Sequence, residues 1–560
     1  MNPSERSPSE SSHNHWTWLA GISLVSLGCL YIWILNPDCI SLLYDDGIYL
    51  LVAKALSQAG SYQLIGIEGD PLFYKYPPLF PMLLSGLDHF LASLPQPAAL
   101  KIANILISLT ALALLYRTLC RVESLPAPYS LGIVLLLGTL DAYVDVSVEL
   151  MSEPLFLLIT FLLIMLANRL GPAGTNFRFR HLVLLSVLSA LCVYTRTMGV
   201  VLVMAIAVWL WFQSKRKAAL GYFVTTGLLC LPWMLWASHR PDTTEQTGNF
   251  LVRTFQETYG QSFFMDIHHE FTPVSLYAHG AETLFSHFSS YFFGMLSHLA
   301  KAPSPWISLS ILALNSVLML CLGLRTTQAF KENRFSLTGL YASLYLLILP
   351  FWSYTPIYPR FLLPILPFLM AGLYHSALES RLLARGKTLF LGGIILLGIG
   401  SNLFSLSPYL HKPFRNTLSV QIPALWQEFQ SVIHFIRTQT PQNTLLYSDQ
   451  SSATYLYAMN THRHFTDFFL FLPKEALPTG TPSKSELRQL LVERSERLYE
   501  QLQKRQVRYL IAHNFQKAGT RQTTIGQAQD TFFLLQRHPE AFKAVMQSPD
   551  GWITVYRFQS

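Results

Sequence analysis

Charge is scarce in this 560-residue chain: Asp, Glu, Lys and Arg make up 13% of it, against 51% hydrophobic residues and a mean hydropathy of +0.32. That balance does not describe a soluble surface, so a single-core soluble enzyme, a disordered regulator and a nucleic-acid-binding module are each disfavoured. Cysteine is sparse as well. Of the six, Cys29, Cys39, Cys120, Cys192, Cys230 and Cys321, five lie in or beside apolar runs, and none shows a CxxC or Cys/His spacing that suggests a metal. The long C-terminal segment has none, so an ordinary core must hold it together. A Walker-type loop, a GxGxxG, an HExxH and an internal sequence repeat are all missing. No cleavable signal is read either: the polar start, Met1 to His15, runs into a stretch long enough to span, with no small-residue cleavage pattern behind it.

What the chain does have is long apolar runs. Candidate spans fall near 17–36, 99–116, 127–144, 154–170, 181–195, 199–213, 219–237, 305–324, 336–352, 360–377 and 388–405, about 11 in all with a range of 11–13. Leu79–Leu94 is interrupted by Asp88 and His89 and reads as a helix lying in the interface.

Every second connecting loop is basic: Arg117 and Arg121, Arg169 with Arg178 and Arg180, Lys215–Lys217, Arg325 with Lys331 and Arg334, and Arg381 with Arg385 and Lys387. Placing these in the cytoplasm puts the N-terminus inside and accounts for most of the net charge of +8 without a polyanionic partner. The acidic and unusual residues then face outward. From about Phe414 charges become frequent, and short β-rich runs (Thr444–Tyr447, Arg508–Ala512, Trp552–Phe558) alternate with helical patterns such as Lys484–Gln503. The expected architecture is a mainly α polytopic membrane protein. It has a cytoplasmic tail (1–16), a transmembrane domain (17–410) with an outer loop at 37–98, and a soluble extracytoplasmic α/β domain (411–560).

Several outer residues could carry chemistry. Asp45 and Asp46, in Tyr44-Asp45-Asp46-Gly47, form a costly doublet at a membrane surface. Asp45 reads either as a cap for the helix that follows or as a general base. Lys75, in Tyr74-Lys75-Tyr76-Pro77-Pro78, either snorkels or holds a lipid phosphate. Asp141, Asp145, Glu149 and Glu153 form a second acidic group, in which Glu153-Pro154 suits a helix start or a ligand-facing carboxylate. Arg196 and Arg360 break the orientation rule in the same direction and are either interfacial anchors or phosphate ligands. A loop with His268, His269, Glu270, His279, Glu282, His287 and His298 lacks metal-site spacing and reads as a solvated vestibule or a metal site.

Taken in order and by side of the membrane, these motifs resemble the GT-C polytopic glycosyltransferases, of the protein O-mannosyltransferase-like and aminoarabinose lipid A transferase-like kind (glycosyltransferase family 39-type). The resemblance rests on Tyr44-Asp45-Asp46-Gly47, Tyr74-Lys75-Tyr76-Pro77-Pro78-Leu79, Ser152-Glu153-Pro154-Leu155, Thr195-Arg196-Thr197-Met198-Gly199 and Pro359-Arg360-Phe361-Leu362-Leu363-Pro364. It implies inverting transfer of a sugar from a polyprenyl-phosphate donor to a lipid, glycan or protein acceptor on the outer face of the plasma (inner) membrane. Asp45 would be the base, with Asp46 the fallback. Lys75, Arg196 and Arg360 would hold the donor phosphate, and Glu153 would orient the acceptor or a cation. Tyr74 stands where aminoarabinose transferases have an acidic metal ligand, so a divalent cation is left open and none is required by the sequence. The rival classes are a flippase or transporter of lipid-linked saccharides and a non-catalytic envelope glycan assembly protein. Transporters favour polar residues at the midplane of broken helices, whereas the charges here lie at span ends.

Overall fold

The computed structural model describes residues 8–37, 40, 45–65, 72–74, 76–94, 96–170, 178–238, 277, 336–351, 359–379, 387–410, 422–441, 444–448, 464–466, 484–513, 525–549, 551 and 553–559. The span expected at 305–324, the His-rich loop at 268–298 and Lys75 lie outside them.

The apolar runs fold as helices because a segment crossing lipid must satisfy its own backbone polar groups. Numbered over the described residues, they are α1 (Pro8–Ile34), α2 (Asp45–Ala59), α3 (Leu79–Phe90), α4 (Ala98–Arg121), α5 (Ala127–Gly138), α6 (Asp141–Val148), α7 (Glu153–Leu170), α8 (Phe179–Thr195), α9 (Gly199–Phe212), α10 (Arg216–Ser238), α11 (Leu337–Ile348), α12 (Leu366–Glu379) and α13 (Lys387–Leu410). Every expected span except 305–324 coincides with one of them, or, for 127–144, with α5 and the start of α6. Four helices, in α1, α4, α7 and α10, are long and apolar enough to cross a bilayer alone, and α5 with α6 makes a further, bent one. α4 is central, packed on α7, α1, α5 and α6. α3 rises only about 18 Å at 1.5 Å per residue, short of the ~30 Å hydrocarbon thickness, and rests on α2 with Met82 and Phe90 exposed.

Where the sequence reads one span at 127–144, the structure has two helices, α5 and α6, that meet at a 66° bend. Carbonyls freed near the bend are taken by side chains from distant helices: Tyr31 Oη donates to Gly138 O at 2.6 Å, and Asn402 Nδ2 donates to Leu136 O at 3.1 Å. Gly138 permits this packing, since a Cβ there would stand 2.7 Å from Leu27 Cδ1. The bend swings α6 and the acidic loop after it toward the N-terminus of α7.

Beyond the last apolar helix come α14 (Ile422–Gln439), β1 (Leu445–Ser448), β2 (His464–Thr466), α15 (Lys484–Lys504), β3 (Tyr509–His513), α16 (Ile525–Arg537), β4 (Phe542–Gln547) and β5 (Ile553–Phe558). The sheet order is β2-β1-β3-β5-β4, with β2, β1 and β3 parallel and β5 antiparallel to both β3 and β4. Side chains alternate between faces as the pleat requires. Tyr447, Leu510 and Phe558 join Leu498 and Leu502 of α15 and Leu534 of α16 in one core, while Leu446, Tyr509 and Ile511 belong to a different cluster together with Val432 and Ile436 of α14.

Candidate active site

Asp45 and Glu153 occupy the first residues of α2 and α7, where the helix dipole favours a negative side chain. Capping alone does not describe Asp45. Tyr76 Oη donates to its Oδ1 at 2.5 Å, and Arg360 Nη2 donates to its Oδ2 at 2.8 Å. Asp46, its neighbour, is fully buried, whereas the Asp45 side chain keeps 18% of its surface.

Glu153 meets the other arginine. Arg196 Nη1 lies 2.7 Å from Glu153 Oε1 and donates to Ser152 Oγ at 3.1 Å, and Arg360 Nε stands 3.8 Å from the same Glu153 oxygen. The Glu153 side chain is 3% exposed, and neither of its oxygens is in hydrogen-bond geometry with a described residue. Two carboxylates and two guanidinium groups from four separate elements therefore form one cluster, and the partly exposed arginines mark its open side.

Local structure holds each arginine. Arg196 ends α8 in an extended conformation, its N–H bonded to Cys192 O at 3.1 Å. The chain turns at once into α9 through Gly199, where a Cβ would stand 2.8 Å from the Cys192 backbone, so only glycine allows the turn to close this tightly. Arg360 sits in the 3-10 turn Pro359–Leu362, anchored by buried Leu362 and Leu363. Between the arginines Phe361 presents its ring to both guanidinium groups, 5.8 Å from that of Arg196 and 5.4 Å from that of Arg360. Cation–π contact of this kind steadies a cation without occupying its donors.

Aromatic side chains build the floor. Tyr49, one turn along α2 from Asp45, shares a hydrogen bond with Ser152 Oγ at 2.9 Å and packs on Tyr76 and Phe80 at 4.8 and 5.0 Å. Tyr62 Oη donates to Tyr76 O at 2.6 Å, and Trp236 Nε1 donates to Phe73 O at 3.1 Å while its ring faces Tyr74 at 5.6 Å. These contacts fix the segments flanking Lys75.

Of the outer acidic group, Asp141 accepts from Ser405 Oγ at 2.8 Å and ties α6 to α13. Glu149 is buried against Lys101 at 2.5 Å. Sequence reading missed Tyr49, Ser152, Phe361 and Lys101 as parts of this network and saw Tyr76 only as an interfacial aromatic. Among the described residues no three His, Cys, Asp or Glu side chains converge as a metal ion would require, and the site carboxylates face guanidinium groups instead.

No family model matches the chain, and no curated protein sequence does. Solved structures do. ArnT from Cupriavidus metallidurans bound to undecaprenyl phosphate superimposes with a TM-score of 0.54 at 10% identity, covering 97% of this chain and 98% of that one. The archaeal oligosaccharyltransferase AglB from Archaeoglobus fulgidus, in complex with an inhibitory peptide and a dolichol-phosphate, does so with a TM-score of 0.53 at 11% identity, covering 97% of this chain and 74% of AglB. The apolar helices and the C-terminal mixed sheet thus belong to one architecture, and the chain has the GT-C fold.

Proposed function

We propose that the protein is a multi-pass membrane glycosyltransferase that moves a sugar from a polyprenyl-phosphate donor to a lipid, glycan or protein acceptor at the extracytoplasmic face, with inversion. The observation that carries this reading is the convergence of Arg196 and Arg360 on Asp45 and Glu153 at the ends of apolar helices. That is the chemistry needed beside a phosphodiester whose sugar bond is to break. The fold supports it, since ArnT was solved with undecaprenyl phosphate and AglB with a dolichol-phosphate.

In this reaction an acceptor X–H attacks the anomeric carbon, a new X–C bond forms, and the carbon–oxygen bond to phosphate breaks. Asp45 takes the proton. The electron pair leaves with the polyprenyl phosphate, which gains one negative charge. Arg196 and Arg360, with Lys75, meet that charge as it develops, so they stabilise the transition state more than the bound donor. Glu153 orients the acceptor. Asp45 is favoured over Asp46 as base because it is the partly exposed member of the doublet and the one joined to Arg360. The N-terminus lies in the cytoplasm and the C-terminal α/β region outside, in the plasma (inner) membrane, as the basic loops direct.

The test is transfer of a labelled sugar from a polyprenyl-phosphate donor by the purified full-length chain in lipid nanodiscs. Asp45→Asn should abolish transfer while donor binding persists; full activity in that variant would remove Asp45 as base. Cysteines placed at Lys215–Lys217 should label only from the cytoplasmic side.

A further inference from the structure

α4 donates no side chain to the candidate active site, yet its first turns hold two ionisable or amide groups that the bundle has buried completely. Lys101 is 0% exposed; its Nζ lies 2.5 Å from Glu149 Oε2 and donates to Asn36 O at 3.1 Å. Asn104, one turn on and also buried, donates through Nδ2 to Val146 O, Ser147 O and Glu149 O at 3.0, 3.3 and 2.6 Å. The two side chains share one helix face. An ion pair inside a spanning bundle is expensive, and burying one adds little stability over an apolar pair of the same size, so its presence calls for a purpose.

Its partners indicate that purpose. Asn36 follows the end of α1, and Glu149 opens the short link to Glu153. Glu149 is held at both ends, by its carboxylate on Lys101 and by its carbonyl on Asn104, and Met151 N bonds back to Glu149 O at 2.9 Å. The link then delivers Ser152 to Tyr49 of α2 and to Arg196. α4 thus grips the chain four residues ahead of Glu153, and through Ser152 that link meets Tyr49, one turn along α2 from Asp45.

We propose that Lys101 and Glu149 are positioning residues for the transfer reaction, a buried pair through which α4 sets the separation of Asp45 from Glu153. This rests on the glycosyltransferase reading above. The pair touches neither donor nor acceptor, so losing it should disturb the reacting geometry while sparing donor affinity.

Four variants of the full-length protein in nanodiscs test this: Lys101→Met, Glu149→Gln, the charge swap Lys101→Glu with Glu149→Lys, and the apolar pair Lys101→Met with Glu149→Met. Binding of polyprenyl phosphate alone, kcat, acceptor KM and hydrogen exchange at 45–49 and 149–153 are measured on folded, monodisperse material. The singles and the apolar pair should lower kcat tenfold or more with polyprenyl phosphate affinity within threefold of the parent, and should raise exchange at both segments together. The charge swap should recover most of kcat. The apolar pair leaves no lone buried charge, so it supplies a folded protein if the singles do not fold. Unchanged kcat in that folded double variant, or exchange that rises at only one segment, overturns the proposal. If the parent transfers no sugar, the glycosyltransferase reading fails, while coupled exchange at the two segments still decides whether α4 holds them together.

Discussion

Arg360 binds Asp45 at 2.8 Å and stands 3.8 Å from Glu153, so a single guanidinium group bridges the two carboxylates proposed to handle the acceptor. The proposed base has a cation on one oxygen and a tyrosine hydroxyl on the other. On the proposed reading, a donor phosphate that draws Arg360 Nη2 away from Asp45 would free a carboxylate oxygen for the acceptor proton. Arg360→Gln should therefore weaken polyprenyl phosphate binding and lower kcat by about 10²–10³, the range seen on removing one transition-state donor. Arg360→Lys should recover only part of this, because an ammonium lacks the planar fork that reaches two anions at once. Equilibrium binding and single-turnover transfer measure the two effects separately.

Tyr76 contributes orientation. Its hydroxyl fixes the Asp45 carboxylate, and its own backbone carbonyl is fixed by Tyr62. Tyr76→Phe keeps the ring contact with Tyr49 and deletes one hydrogen bond to a charged group, worth about 1.5–3 kcal/mol. The expected outcome is a kcat lower by about tenfold or somewhat more, with polyprenyl phosphate affinity unchanged, as read by transfer assay and direct binding.

Gly199 tests whether the α8–α9 turn sets the place of Arg196. A methyl group there would stand 2.8 Å from the carbonyl carbon and oxygen of Cys192, backbone atoms that cannot swing aside. Gly199→Ala should cost about 1–3 kcal/mol, the usual range for overpacking. It should also reduce transfer in the protein that remains folded, because the turn must open and carry Arg196 away from Glu153. Thermal unfolding and activity per folded molecule distinguish the two losses.

Acid should loosen the C-terminal region through Glu496. Its carboxylate accepts from Arg537 Nε and pairs with His538 Nε2 at 3.0 Å, joining α15 to α16 and the turn beyond it. The Arg537 hydrogen bond, then that of His538, lowers its folded-state pKa below the ordinary 4.5. A lowered carboxylate pKa stabilises the fold at pH values above the unfolded-state value, and that contribution disappears as pH falls through the folded-state value. Hydrogen exchange at 484–504 and 525–537 in the full-length protein should rise as pH drops below about 4.5, after correction for intrinsic rates. Glu496→Gln should flatten that dependence. The group is over one-third exposed, so the effect is small.

The apolar helices were legible in the sequence because hydropathy over a window reports what a spanning segment must satisfy locally. The bend between α5 and α6 was not, since Ala127–Val144 reads as one apolar run and its break depends on Tyr31 and Asn402 arriving from elsewhere. Strands β1, β3 and β5 stood out as β-rich runs, whereas β4, exposed over Lys543–Val545 and broken in register between Ala544 and Met546, did not. In the site, Asp45 was visible as half of a carboxylate doublet, Glu153 as a Glu-Pro helix start, and Arg196 and Arg360 as cations that break the expected loop-charge pattern. Lys101 was hidden because one lysine hardly lowers the hydropathy of α4. Phe361 and Ser152 were hidden because an aromatic or a hydroxyl beside a charge signals nothing until the distant partner is in place.

The charge balance of the cluster bears on competition. Among its described members, two guanidinium groups are cancelled by two carboxylates, so at the distance of a Debye length the pocket offers little pull on an anion. Phospholipid headgroups vastly outnumber any polyprenyl donor in the surrounding leaflet, and a bare pair of arginines would collect them. A self-neutralised pocket yields only to a ligand that enters and trades partners with its carboxylates at contact range. On the proposed reading, occupancy would then depend little on how anionic the bilayer happens to be.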